Sequence, residues 1–179
     1  MRGDRGQEAL WVLRAQCGDR AALELLLRQV QRSLRRYLVS LVGASDADDV
    51  LQDVLLLIYR KLTWLRDPEL FRPWAFRIAS RTAFRHLGER RRWSEQIDEC
   101  LSVDDVAATG AAVDEERLDQ LLAAHQISPA CAAVLTLHFG ERMPLAEVAA
   151  VLEIPLGTVK SRLAYGLAAL RRRLGDRRS

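Results

Sequence analysis

The stretch LAEVAAVLEIPLGTVKSRLA, residues 145–164, decides the fold of the second part of this sequence. Two amphipathic segments flank a short turn, and Val148, Leu152 and Val159 place apolar side chains where two helices would cross. Ala149 is small enough to let the two backbones approach closely. The pattern predicts a helix-turn-helix, and an ordinary hairpin of two helices with a basic face is the alternative.

Polar side chains are expected to face outward from the second helix of this motif. Hydroxyl and basic groups on such a helix anchor phosphates and reach base edges in the major groove of DNA. The residues that carry these groups are Thr158, Lys160, Ser161, Arg162 and Tyr165. We expect Lys160, Ser161 and Arg162 to read the base sequence. Three consecutive arginines, residues 171–173, would add attraction that does not depend on sequence.

The rest of the chain shows helical periodicity and almost no strand signal. Apolar residues recur at steps of three and four from Leu23 to Leu41. Asp19 is suited to cap the start of this long helix, and Ser45 followed by Asp48 resembles a capping box for the next one. The fold class is therefore predicted to be all-α, with further helices over about 7–16, 46–62, 73–92, 114–125, 129–139, 144–152 and 156–174.

Charge is distributed in blocks, although the net charge is only +3. Residues 72–92 and 158–179 are strongly basic, and residues 94–119 between them are strongly acidic. Because residues 94–116 also lack sustained periodicity, they are predicted to form a flexible acidic linker. The sequence thus predicts two small helical domains, residues 1–93 and 117–179, each with a surface for a polyanion. Two solvated helix faces joined by an ordinary loop are the alternative.

Arginines alternate with aromatic residues in the predicted helix over residues 73–92. Arg77, Arg81, Arg85 and Arg92 share one side of that helix. Guanidinium groups beside aromatic rings suit contact with a nucleic-acid strand and stacking on unpaired bases. The alternative is that the aromatic residues belong to the core while the arginines are solvated. The interleaved rings are Trp74, Phe76, Phe84, His86 and Trp93.

Asp49, Gln52 and Asp53 form an acidic face on the predicted helix over residues 46–62. Carboxylates repel phosphate, so this face is not suited to DNA. It either improves solubility or docks on a basic protein surface. No histidine or cysteine converges on it in sequence, and no catalytic residue, metal site or cofactor site is predicted in the chain.

The three cysteines, Cys17, Cys100 and Cys131, are isolated and have neither disulfide nor zinc-site spacing. The first residues lack the apolar stretch of a signal peptide. Polar side chains interrupt residues 120–140, which therefore do not suit a membrane span. These features predict a cytoplasmic protein with reduced thiols.

Taken in order, these segments resemble the extracytoplasmic-function group of the sigma-70 superfamily, over nearly the whole chain. Residues 17–19 (CGD) lie where that family has an early Gly-Asp, and residues 46–54 (DADDVLQDV) are similar to its region 2.2 signature. Residues 74–79 (WAFRIA) are similar to the helix of regions 2.3 and 2.4, and residues 157–163 (GTVKSRL) to the region 4.2 recognition helix. The resemblance implies a sigma factor that directs core RNA polymerase to promoters and aids DNA melting.

The same resemblance implies roles for the residues above. The acidic face of Asp49, Gln52 and Asp53 would dock on the β′ clamp helices of polymerase, and the β flap would be a second polymerase contact. The acidic linker would pass through the polymerase cleft. An anti-sigma factor is an expected partner, no cofactor is implied, and the protein would associate with the nucleoid when in holoenzyme. The −10 promoter element would be bound by Trp74, Arg77, Arg81, Arg85, His86 and Arg92, and the −35 element by Thr158, Lys160, Ser161, Arg162 and Tyr165.

Some positions depart from the family pattern on surfaces expected to read DNA. Ser80-Arg81 stands where Arg-Asn is typical, and Arg85 where aspartate is frequent. Residues 164–167 (AYGL) replace a common Ala-Arg-Ala-Arg, so we expect this stretch to carry the protein's own specificity and to make fewer phosphate contacts. Glu153 stands at the turn of the helix-turn-helix, where glycine usually eases a left-handed backbone.

Other classes of function remain as alternatives to the sigma factor interpretation. The first is a stand-alone helix-turn-helix regulator that binds a palindromic operator as a dimer, without polymerase. The sigma factor interpretation instead predicts co-purification with core polymerase, lost on charge reversal at Asp49 and Asp53. A hydrolase or transferase would need a nucleophile and base that converge, or a phosphate-binding loop, and the sequence offers neither.

Overall fold

The computed structural model describes the backbone of residues 2–88 and 127–175, and the side chains of residues 6–88 and 127–172. Within these ranges every regular element is helical, which confirms the predicted all-α class. The predicted linker over residues 94–116 and the predicted helix over residues 114–125 lie outside the described residues. The N-terminal half (residues 2–88) contains α1 (Arg2–Gln16), α2 (Arg20–Val42), α3 (Ala47–Lys61) and α4 (Phe71–His86). The C-terminal half (residues 127–175) contains α5 (Pro129–Leu135), α6 (Leu145–Leu152) and α7 (Leu156–Gly175).

The long helix α2 begins where the sequence predicts. Asp19 is its N-cap, because the carboxylate accepts a hydrogen bond from the Ala22 backbone N–H at 3.0 Å and pairs with Arg14 at 2.6 Å. The Ala22 N–H, together with Arg14, lowers the pKa of Asp19 below its usual value. The buried face of α2 then follows the predicted steps of three and four residues through Leu26, Val30, Leu34, Tyr37, Leu38 and Leu41.

The start of α3 differs from the sequence prediction. Asp46 is the N-cap residue and makes no capping hydrogen bond with its side chain. Ser45 donates a hydrogen bond to the Asp46 carboxylate at 2.7 Å, and Asp48 pairs with Arg35 of α2 at 2.7 Å. The predicted capping box is therefore wrong, because both of its side chains are engaged elsewhere. Asp48 and Asp49 still favour this helix end, since negative charge in the first turn complements the helix dipole.

Two short 3-10 turns, Leu62–Trp64 and Pro68–Leu70, lead from α3 into α4. The helix α4 ends at His86, earlier than the predicted end near residue 92. Gly88 explains the difference, because its φ of 65° is left-handed and its N–H bonds to the Arg85 carbonyl at 3.1 Å. A glycine in this conformation terminates a helix at little steric cost.

Ser128 and Pro129 begin the C-terminal half as the sequence predicts. Ser128 Oγ accepts a hydrogen bond from the Cys131 N–H at 3.4 Å, and Pro129 occupies the first helical turn. The helix α5 passes directly into a π-helical turn over Thr136–Gly140. Together these two elements cover the predicted helix over residues 129–139.

The two halves pack against each other. The helix α2 contacts α5, and α4 contacts α6. Buried side chains from both halves join in one continuous hydrophobic core. The sequence predicts two domains but gives no indication of this contact, and the predicted domain boundaries near residues 93 and 117 lie outside the described residues.

A buried carboxylate also joins the halves. The Glu141 side chain is only 2% exposed and pairs with Arg36 of α2 at 2.6 Å and with Arg72 of α4 at 2.9 Å. Arg72 in turn reaches Glu8 of α1 at 3.3 Å, and Arg36 donates to the Gly140 carbonyl at 3.2 Å. A carboxylate removed from water requires partners of this kind. We call Glu8, Arg36, Arg72 and Glu141 the Glu141 cluster.

No helix among the described residues is long and apolar enough to cross a membrane. Over the same ranges, histidine, cysteine and acidic side chains do not assemble into a group that could hold a metal ion. Neither Cys17, which is exposed, nor Cys131, which is buried, forms a disulfide among the described residues. Cys100 lies outside the described residues.

Candidate nucleic-acid interface

The basic face predicted on the fourth helix lies on α4. Arg81 and Arg85 are exposed, and Arg77 and Trp74 are half-buried. Their spacing of three and four residues keeps them on one side of the helix. The structure therefore brings Trp74 and three of the predicted arginines together on one surface, whereas Arg92 lies outside the described residues.

The aromatic residues of this segment divide between surface and core. Phe76 is fully buried and Phe84 is 8% exposed, so both belong to the hydrophobic core. Phe76 packs edge-on against Tyr37 of α2, with ring centroids 5.4 Å apart. For these two phenylalanines the core alternative is correct. Of the other rings, Trp74 is half-buried and His86 is exposed, and Trp93 lies outside the described residues.

Two arginines of the basic face contact the helix-turn-helix. Arg81 forms a bidentate pair with Glu153, in which its Nη2 lies 2.6 Å from Oε1 and its Nε lies 3.0 Å from Oε2. Arg77 donates to the Ala150 carbonyl at the end of α6, at 2.9 Å. Side chains predicted to bind the −10 element are thus engaged by the C-terminal half.

His86 lies at the end of α4 and contacts the start of α3. Its Nε2 is 2.9 Å from the Asp46 carboxylate, and both side chains are partly exposed. The hydrogen bond from His86, with a second from Ser45, lowers the pKa of Asp46. His86 is therefore accessible, but in this structure it is oriented toward a neighbouring carboxylate.

Ser80 does not lie on the exposed face of α4. Its side chain is 3% exposed, and its Oγ donates to the Phe76 carbonyl while lying 2.7 Å from the hydroxyl of Tyr37. The family departure at this position therefore concerns the core. Our expectation that this residue alters promoter reading is wrong, because a buried hydroxyl paired with Tyr37 cannot reach DNA in this arrangement.

The helix-turn-helix itself forms as predicted, from α6, a short turn and α7. Val148 and Val159 are fully buried, and Leu152 is 7% exposed. Glu153 ends α6 with φ 57° and ψ 42°, the left-handed conformation expected at this turn. A side chain in this region costs about 1–2 kcal/mol relative to glycine. The turn thus keeps a charged residue at a position that disfavours it.

The outer face of α7 carries most of the residues predicted to read the −35 element. Lys160 and Tyr165 are exposed, and Thr158 and Ser161 are half-buried. Ser161 Oγ donates to the Gly157 carbonyl at 3.1 Å, so its hydroxyl retains acceptor capacity. The structure places these four side chains on α7, but their contacts with DNA stay a prediction.

Arg162 is the exception. It is 1% exposed and is one of the largest fully buried side chains among the described residues. It lies three residues after Val159 and four before Gly166, and both of these residues are buried. This burial does not favour the prediction that Arg162 reads bases, which stays a prediction. The spacing of Val159, Leu163 and Leu170 could have revealed this, because it directs Arg162 toward the same side.

Gly166 has a packing role and does not face DNA. A Cβ atom at this position would lie 2.9 Å from Leu135 Cδ1 and 3.3 Å from Leu135 Cγ. The missing side chain thus allows α7 to approach α5 closely. Of the residues expected to carry specificity in 164–167, only Tyr165 is exposed.

The acidic face predicted on the third helix lies on α3. Asp49, Gln52 and Asp53 are all exposed. They lie opposite the buried residues of α3, which are Ala47, Val50, Leu51, Val54 and Ile58. Sequence reasoning missed Leu56, which is 46% exposed and lies one turn farther along the same side of α3. Its distance of seven residues from Asp49 was the available signal, because seven residues are two helical turns.

Comparison with known protein families gives a match in each half of the chain. Residues 26–93 match the family described as Sigma-70 region 2, and residues 123–172 match Sigma-70, region 4. The chain is 28% identical over 170 residues to the RNA polymerase sigma-H factor of Pseudomonas aeruginosa, covering 88% of each protein. It is 27% identical over 165 residues to the ECF RNA polymerase sigma-E factor of Escherichia coli K12, covering 85% of this chain and 86% of the relative. The chain belongs to the extracytoplasmic-function (ECF) group of the sigma-70 family.

Solved structures share the fold of this sigma factor. CnrH, in a complex with the cytosolic domain of CnrY, matches with a TM-score of 0.68 at 22% identity, over 95% of this chain and 98% of that one. The sigma factor RpoE of Bartonella quintana, in a complex with the anti-sigma factor NepR, matches with a TM-score of 0.62 at 22% identity. That match covers 85% of the present sigma factor and 96% of RpoE. The two-region match does not favour a stand-alone dimeric regulator.

Proposed function

We propose that this sigma factor binds core RNA polymerase, directs it to promoters with two separate elements and aids DNA melting there. The observation that carries the proposal is the presence of two exposed basic faces, on α4 and α7, and one exposed acidic face, on α3, in a chain that matches both sigma-70 regions. The acidic face is not suited to DNA and suits docking on a basic protein surface. Catalysis would belong to the polymerase, and this chain would supply recognition without a cofactor.

The C-terminal half would read the −35 element through α7. Lys160, Ser161, Thr158 and Tyr165 are the candidates for base and phosphate contacts, and each good bidentate contact with a base contributes about 1–3 kcal/mol of discrimination. Arg171 and Arg172 are exposed farther along α7 and would attract the DNA backbone. Arg162 is not among the candidates, because its side chain is buried.

The N-terminal half would bind the −10 element through α4. Arg77, Arg81 and Arg85 would contact the strand backbone, with His86 at the end of the same surface. Trp74 would stack on an unpaired base, an interaction that contributes about 1–3 kcal/mol per base. Stacking on unpaired bases favours the melted state, which would explain how binding aids strand opening. Arg92, outside the described residues, remains a further candidate.

Asp49, Gln52 and Asp53 would dock on the β′ clamp helices, and the C-terminal half on the β flap. An acidic surface that faces basic residues accelerates encounter and selects the partner. The exposed side chain of Leu56 would add apolar contact beside these polar residues. The relatives are named as RNA polymerase sigma factors, which supports polymerase as the partner.

An anti-sigma factor is a further proposed partner. The matched CnrH and RpoE structures are complexes, with the cytosolic domain of CnrY and with the anti-sigma factor NepR. Their overall similarity to this chain supports a regulator of the same kind here. We propose that the protein acts in the cytoplasm, at the nucleoid when it is bound to polymerase.

Co-purification with core polymerase tests the docking face. Replacing Asp49 and Asp53 with lysine should abolish the complex, since basic clamp residues would then face positive charge. A matched variant with lysine at Glu24 and Glu69, two exposed acids outside α3, should bind as the wild type does. Retention of polymerase by the Asp49→Lys, Asp53→Lys variant would exclude α3 as the docking face.

A further inference from the structure

A cleft opens where the end of α1 and the first turn of α2 meet the end of α3. Its volume is about 520 Å³, within the range of about 300–1,000 Å³ that is usual for small-molecule sites. We propose that this cleft binds a free purine nucleotide, with Tyr59 stacked on the base and with Arg20 and Arg60 on the phosphates. None of the described residues that line it belongs to α4, α6 or α7, so the site does not depend on the proposed promoter contacts.

Two arginines line the cleft from different helices. Arg20 is the first residue of α2, and Arg60 lies in the last turn of α3. Both side chains are exposed, and neither forms an ion pair with another of the described residues. A guanidinium group without a carboxylate partner keeps its donors for phosphate oxygens, which it can bind with two parallel hydrogen bonds. The two arginines therefore give the cleft the positive charge that a phosphate chain requires.

Asp19 also lines the cleft, but its carboxylate is already engaged. Its Oδ2 pairs with Arg14 at 2.6 Å, and its Oδ1 accepts the hydrogen bond from the Ala22 N–H at 3.0 Å. Arg14 does not line the cleft, so it offsets the charge of Asp19 from outside. The positive charge of Arg20 and Arg60 therefore remains available to an anionic ligand.

Tyr59 provides an aromatic surface in the same cleft. It is 58% exposed and makes no ring contact with another aromatic residue in the described part of the chain. An exposed ring beside basic groups stacks on a nucleobase, and a purine, as the larger base, covers more of the ring. Leu23 and Leu62 line the cleft as well and would add apolar contact with the base. A ring next to two arginines suits a nucleotide better than inorganic phosphate.

Hydrogen bonds hold the walls of the cleft in place. Gln16, at the end of α1, donates from its Nε2 to the carbonyls of Leu62 and Leu65, both at 2.8 Å. These bonds fix the 3-10 turn against α1, while the cap at Asp19 fixes the start of α2. Because both amide donors of Gln16 are used, its Oε1 remains as an acceptor for the exocyclic amine of a base. A site formed in advance loses less conformational entropy when the ligand binds.

Isothermal titration calorimetry of the full chain with ATP and with GTP tests the proposal. We expect saturable binding at a single site. Tyr59→Ala should weaken this binding about tenfold, because stacking is lost, whereas Tyr59→Phe keeps the ring and should bind as the wild type does. Arg20→Gln and Arg60→Gln should each weaken binding by up to about fivefold. The three side chains are exposed, so the variants should fold, and circular dichroism checks that they do.

Arg32→Gln is the matched control, because it removes the same charge outside the cleft. Arg32 is exposed on the same helix as Arg20, about 18 Å farther along α2. This variant should bind ATP and GTP as the wild type does. An equal loss in Arg32→Gln would indicate general charge attraction and overturn the site. Absence of binding by the wild type at about 1 mM of either nucleotide would also overturn it.

Two further probes test the chemistry of the ligand. Inorganic triphosphate lacks the base and should bind at least about tenfold more weakly than ATP; equal affinity for the two would reject the nucleotide. A short single-stranded DNA tests whether the base and phosphate come from nucleic acid instead. It should leave ATP bound, since no described residue of the basic faces of α4 and α7 lines the cleft. Displacement of ATP by the strand, with loss of strand binding in Tyr59→Ala, would assign the cleft to nucleic acid and overturn the proposal.

Discussion

The hydroxyls of Tyr37 and Ser80 form a hydrogen bond in the interior of the N-terminal half. Because both side chains are buried, a substitution at either residue changes the stability of the fold. Tyr37 is fully buried, and this burial raises the pKa of its hydroxyl above the usual value. Ser80 accepts from Tyr37 and donates to the Phe76 carbonyl, so that the chain of hydrogen bonds is complete. Loss of either partner would leave a buried polar group unsatisfied.

We predict that Ser80→Ala destabilises the fold by about 1–3 kcal/mol, because the Tyr37 hydroxyl loses its acceptor. The double variant with Tyr37→Phe should recover much of this loss, since both polar groups are then removed. Denaturant unfolding of the single and double variants measures the coupling. Strictly additive losses would contradict the hydrogen bond as the cause.

Arg162 and Lys160 are two positions apart on α7 but differ in exposure, which makes them a matched pair. We predict that Arg162→Ala lowers the free energy of unfolding by about 2 kcal/mol through lost packing and buried contacts. Lys160→Ala should leave stability unchanged and weaken binding to the −35 element. Thermal unfolding and DNA binding of both variants distinguish these effects. Selective loss of promoter discrimination in a fully stable Arg162→Ala protein would restore the original assignment.

At the scale of elements, helix starts were predictable from sequence where the signal is local. Asp19 caps α2, and Ser128 with Pro129 starts α5, because these contacts involve residues only a few positions away. Ser45 and Asp48 failed as a capping box because Arg35 of another helix binds Asp48. The inward direction of Arg162 was overlooked although the periodicity of α7 contained it. Local chemistry thus determined the helix starts, whereas tertiary partners determined the exceptions.

Gly166 and Gly157 lie on the same helix and test the close contact of α7 with α5. A methyl group at Gly166 would overlap the fully buried Leu135, so Gly166→Ala should cost about 1–3 kcal/mol. At Gly157 an added Cβ meets nothing within 4 Å. Gly157→Ala should therefore be neutral or slightly stabilising, by up to about 1 kcal/mol. Equal melting temperatures for the two variants would contradict the close approach.

The N-cap of α2 gives a pH dependence whose sign can be worked out. The Ala22 N–H and Arg14 lower the pKa of Asp19 in the folded state below its usual value of 3.8. The stabilisation is therefore complete above this value and is lost as pH falls through the lowered folded pKa. We predict that the Asp19→Asn variant has a lower melting temperature than the wild type at neutral pH. This difference in melting temperature should disappear in acid. A difference that does not change with pH would reject the carboxylate as its source.

At the scale of the whole molecule, the sequence predicts two regions but not how they meet. Periodicity identifies which face of a helix is buried, and it does not identify the partner of that face. The pairing of Glu141 with Arg36 and Arg72 joins residues far apart in the chain, with no local signature. The candidate surfaces of α3, α4 and α7 could be predicted from the sequence because each is a set of residues at helical spacing. The contact of α4 with the helix-turn-helix could be seen only in the structure.

The most direct test of the account is transcription by core RNA polymerase with and without this chain, on promoters selected from a random DNA library. We predict that transcripts start at fixed positions only when the chain is present, that the selected promoters contain two separated elements, and that Asp49→Lys with Asp53→Lys abolishes the signal. Core polymerase that gains no promoter-dependent transcription from the chain would contradict the central claim, as would selection of a palindromic site bound without polymerase.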